Sequence, residues 1–109
     1  MERPLLVYTT FPDERTALAV GRELVTEKLA ACVNVLPGMK SVYAWKGEIE
    51  RGQEVVAIVK TREGLKEPVQ DALKARHPYE TPIILFLEVS GGHPATLAWL
   101  FGETGAQMV

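Results

Sequence analysis

"KSVYAWKGEIERGQEVVAIVKT", residues 40–61, is the stretch that decides the fold. Tyr43, Trp45 and Ile49 fall at even spacing, so one continuous strand would place them on one face. That parity makes Gly47 a kink within the strand. It sets the hairpin turn at "ERGQ" (50–53), where Gly52 is free to take positive φ. "EVVAIVKT" (54–61) then returns as a strand apolar on both faces for most of its length. Upstream, "ACVNVL" (31–36) is β-branched and apolar, and "PG" (37–38) interrupts the run before it resumes. The two arms reach roughly ten residues each, against five or six in an ordinary strand.

Outward from the hairpin, "PLLVYTT" (4–10) reads as a short buried strand that Pro12 and Asp13 stop. Asp13 is a good helix N-cap. Ala17, Leu18, Gly21, Leu24, Val25 and Leu29 recur at helical spacing, which predicts a helix over 13–30. Val69, Ala72, Leu73 and Arg76 define a second helix, with Pro68 in its first turn and its end at His77, before Pro78. "PIILFLEV" (82–89) is the fourth strand, and a short helix over 95–101 carries Leu97, Trp99 and Leu100.

The order is βαββαβ plus a C-terminal helix. Right-handed crossovers favour an α+β, ferredoxin-like sandwich: one sheet, both connecting helices on one side, and an extended hairpin between the second and third strands. Runs such as 55–59 and 83–87 are apolar at both parities. A sheet that is apolar on two faces and covered on one recruits a partner, and so do overlong hairpin arms. The residues alone therefore predict a homo-oligomer.

With 109 residues the chain is expected to be one domain, 1–109. A formal charge of −2 does not suit a general nucleic-acid binder. No apolar run approaches membrane-spanning length, and the N-terminal stretch lacks the pattern of a signal peptide. One cysteine excludes an intrachain disulfide. Together these point to the cytoplasm, with no nucleic-acid or membrane partner.

The candidate chemistry centres on "HPYETP" (77–82), where two prolines fix the shape that presents His77, Tyr79 and Glu80. His77 is a competent metal ligand or proton carrier, and Glu80 and Tyr79 could add oxygen ligands. The plainer alternative is that His77 ends a helix and Tyr79 packs between prolines. Cys32 is either a small buried hydrophobe or a soft ligand for Cu(I). Lys60, closing an apolar strand, either snorkels to water or contacts an anion in a cleft between protomers. Tyr43 and Trp45 would suit base stacking, but no basic-aromatic RNA-binding motif accompanies them.

"LAACVNVLPGMKSVYAWKGEIE", "VKT", "HPYETP" and "LAWL", in this order and spacing, resemble the CutA divalent-cation tolerance family across essentially the whole chain. The resemblance implies a ferredoxin-like protomer and a tight homotrimer joined sheet edge to sheet edge, with a plan similar to the PII signalling proteins. It implies a cytoplasmic role in tolerance of or response to divalent metals, copper above all, and places Lys60 with the "HPY" residues in a cleft. The chain also departs from the family pattern. Ile83 follows Pro82 where many members have an acid, and Thr96 replaces a Tyr. Thr9 and Arg76 stand where some members carry the Cys and second His implicated in copper binding. Of that set only His77 is present.

The leading expectation is a non-enzymatic, metal-responsive or small-ligand regulatory trimer. Its ligand contacts are Lys60, Tyr79 and Glu80, with His77 and Cys32 as metal candidates and copper or another divalent cation as the ion. Two alternatives stay open: an enzyme using His77 as acid/base in an intersubunit pocket, and a purely structural trimeric module.

Overall fold

The computed structural model describes residues 2–105. The elements follow the order β1 (Pro4–Phe11), α1 (Glu14–Thr26), β2 (Cys32–Trp45), β3 (Glu48–Arg62), α2 (Lys66–Arg76), β4 (Ile84–Glu88) and α3 (Pro94–Glu103), with a single 3₁₀ turn at Glu63–Leu65 before α2. The four strands form one antiparallel sheet in the order β2-β3-β1-β4.

Strand parity sorts the sheet into two faces. Leu5, Val7, Phe11, Val55, Ala57 and Val59 point to one side and are almost fully buried. Ala17, Val20 and Leu24 of α1 and Val69, Ala72 and Leu73 of α2 close over them as one core. On the opposite parity lie Leu6, Tyr8, Val56 and Ile58, with Leu36, Leu85 and Leu87 about half exposed. None of these residues belongs to the core under α1 and α2. α3 packs through Leu97, Leu100 and Phe101 on Ala31 in a small separate cluster. Arg62 anchors the chain after α3. Its guanidinium donates to the Thr104 carbonyl at 3.0 Å and pairs with Glu2 at 2.7 Å.

Asp13 caps α1 as expected, its carboxylate accepting from the Thr16 N–H at 2.7 Å. The helix stops at Thr26, four residues short of the predicted end. Lys28 takes a left-handed conformation (φ 61°), and the N–H groups of Lys28 and Leu29 fold back onto the Val25 and Leu24 carbonyls. This is a Schellman closure with lysine in the position glycine usually fills. Leu29 still packs on the core through the closure, which is why its apolar periodicity runs past the helix end.

The larger correction concerns the hairpin. Trp45 pairs with Glu48, so the turn is Lys46-Gly47, both at positive φ (48° and 85°), as a two-residue type I′ turn requires. "ERGQ" lies inside β3, with Gly52 opposite Ser41. Ile49 therefore sits opposite Ala44, on the other face from Tyr43 and Trp45. Pro37 and Gly38 do not end β2. They form a bulge between Leu36 and Met39, with Gly38 at φ 85°. β4 is shorter than the predicted 82–89, because Pro82 and Ile83 stay outside the ladder.

Beyond the bulge the two strands leave the sandwich as an arm, and the molecule reaches 51 Å along its longest axis. One face of the arm carries Ser41, Tyr43, Trp45, Glu48 and Glu50. The other carries Lys40, Val42, Ala44, Ile49 and Arg51. Val42 and Ile49 are more than 70% exposed.

Candidate functional site

His77 follows α2 directly, in extended conformation, because Pro78 bars helix at the residue before it. Its ring lies on that of Phe11, 4.4 Å between centroids and 14° from parallel. Nε2 is 2.7 Å from the Thr10 carbonyl oxygen and 3.4 Å from Thr9 Oγ1. A carbonyl only accepts, so Nε2 carries the proton. Nδ1 is then bare, and it accepts the Tyr79 backbone N–H at 3.2 Å. Both ring nitrogens of a neutral imidazole are thus engaged. Burial pushes the His77 pKa down, against the opposing pull of the Thr10 carbonyl and the Glu54 charge.

Tyr79 extends from this anchored turn to the root of the arm, where its hydroxyl donates to Glu54 Oε2 at 2.9 Å. The other oxygen of Glu54 accepts from Ser41 Oγ at 2.7 Å. Burial and the hydrogen bond to Glu54 raise the Tyr79 pKa, so the phenol stays protonated and a donor. Hydrogen bonds to a charged acceptor contribute about 1.5–3 kcal/mol each, so Glu54 is a strong tie between the "HPY" segment and both strands of the arm. Glu80 lies outside, 3.8 Å from Lys46 Nζ with both side chains some 70% exposed, a pair that adds little.

The five sequence-derived residues do not converge in one protomer. His77 and Tyr79 gather at the C-terminal end of β1. Cys32 and Lys60 face each other across β2 and β3 on the uncovered face, about 20 Å along the strand from Glu54. Among the described residues no three His, Cys, Asp or Glu side chains come close enough together to hold a metal ion. With the imidazole doubly engaged and Cys32 remote, a copper site built by one protomer does not fit this arrangement.

Glu54, Ser41, Thr10 and Phe11 complete the cluster, and the sequence reading did not single them out. One signal was available: a Tyr fixed between prolines needs a partner for its hydroxyl once partly buried, and Glu54 is the acid that opens an apolar strand.

An antiparallel four-stranded α/β sandwich with a projecting arm is a known class. The structure superposes on CutA from the bacterium Xylella fastidiosa with a TM-score of 0.91 at 39% identity, covering 94% of this chain and 98% of that one. The divalent-cation tolerance protein CutA from Thermus thermophilus is 40% identical over 105 residues, 96% of this chain and all of that one, and its structure matches with a TM-score of 0.89. The protein is thus of the divalent-cation tolerance class. A chloroplastic CutA from Arabidopsis thaliana is 39% identical over 100 residues, and there the chain spans about half (55%) of the relative's length. Residues 5–103 match the profile described as CutA1 divalent ion tolerance protein, and the chain belongs to that family.

Proposed function

We propose that residues 1–109 are a single ferredoxin-like domain that works as a homotrimer. In this reading it is a non-enzymatic, metal-responsive or small-ligand regulatory module, similar in plan to PII signalling proteins, acting in the cytoplasm. One observation carries the reading. The sheet face with Leu36, Leu85 and Leu87 is half exposed and runs into an arm whose Val42 and Ile49 are more than 70% exposed. Contiguous apolar surface of this kind marks an interaction site. The arm adds complementary chemistry: Glu48 and Glu50 beside aromatics on one face, and Lys40 and Arg51 beside aliphatics on the other, so copies can meet unlike face to unlike face. Assembly would also solve the separation of the candidate residues. Cys32 and Lys60 of one copy would meet His77, Tyr79 and Glu80 of another at a subunit boundary, where a divalent cation, copper included, or a small anion would bind.

Light scattering at micromolar concentration should give three times the protomer mass. Placing lysine at both Val42 and Ile49 should give a folded monomer. A wild-type monomer would end the assembly argument. Calorimetry with Cu²⁺ on wild type, His77→Ala and Cys32→Ser tests the ligand set, and equal affinity and stoichiometry in all three would remove both residues from it. The enzyme alternative keeps one supporting observation, a neutral His77 beside Tyr79 and Glu54, but both its nitrogens are already bonded within the protein.

A further inference from the structure

We draw no further inference here: the strongest candidate, the apolar groove between α1 and the edge strand β2 lined by Leu18, Val25, Val33 and Val35, carries none because nothing in the structure shows what covers it.

Discussion

The same two strands live in two different environments, and the contrast is sharpest within β3. In its inner half, Val55, Ala57, Val59 and Thr61 are at most 5% exposed under the helices. In its outer half, Ile49 is 73% exposed, and its cross-strand neighbourhood is solvated on both faces. Both halves are regular ladder. Strand formation therefore does not report burial here. The inner half is held by the core. The outer half is held by ladder hydrogen bonds, a tight turn and the bonds of Tyr79 and Ser41 to Glu54 at its root. An isolated two-stranded hairpin is marginal in water, so the arm needs either those bonds or a neighbouring copy to keep one shape.

The comparison is tested most severely by removing one large aromatic paired with each half of β3, Phe11 opposite Val55 and Trp45 opposite Glu48. Phe11 is 1% exposed, packs in the core and carries His77 on its face. Phe11→Ala should cost about 3–5 kcal/mol in global stability, read from the shift of a urea midpoint. Trp45 is 40% exposed on the arm. Trp45→Ala should cost the isolated protomer under about 1 kcal/mol and act mainly on assembly. Equal effects of the two changes on the protomer would erase the distinction between core and arm.

Acid probes the junction between the halves. Burial holds the His77 pKa below its ordinary value, so the unfolded chain binds the proton more readily than the folded one. Stability therefore falls as pH drops through the ordinary histidine range near 6.5 toward the lowered folded value, and is recovered above it. The proton goes to Nδ1, which would then face the Tyr79 N–H it now accepts from. His77→Gln should flatten that part of the pH profile. A slope that persists in His77→Gln would assign it elsewhere.

The order of elements was legible because periodicity of 3.6 and 2 separates helix from strand, and because Asp13, Pro68 and Pro78 punctuate the chain at helix ends. The turn was not. Moving it from 50–53 to Lys46-Gly47 leaves apolar residues at the same spacing, and Lys-Gly is a weaker turn signal than Asn-Gly. Pairing Trp45 with Glu48 then swaps the parity of everything after it, which is how Ile49 changed face. In the site, His77 and Tyr79 were legible because prolines fix them. Glu54 was marked only as the acid that opens an apolar strand, because its approach to Tyr79 depends on the bulge register, a tertiary fact. Cys32 and Lys60 were expected beside His77 at a boundary between protomers; within one protomer, strand parity and length put them on another face and at another level of the sheet.

The finest version of the contrast uses two lysines in the same unusual conformation. Lys28 (φ 61°) closes α1 against the core, and Lys46 (φ 48°) sits at the tip of the arm. A left-handed backbone costs a non-glycine residue about 1–2 kcal/mol, part of which glycine gives back through its freer unfolded chain. Lys28→Gly should therefore raise global stability by about 0.5–1 kcal/mol, seen as a higher urea midpoint with unchanged slope. Lys46→Asn relieves the same kind of strain where nothing is coupled to the core, and the exposed pair with Glu80 that it removes contributes little. Its effect should be confined to slower amide exchange in 42–51, with the urea midpoint within about 0.3 kcal/mol of wild type. If Lys46→Asn moved global stability as far as Lys28→Gly, the arm would fold as one cooperative unit with the sandwich, and the contrast between core and arm would be one of exposure only.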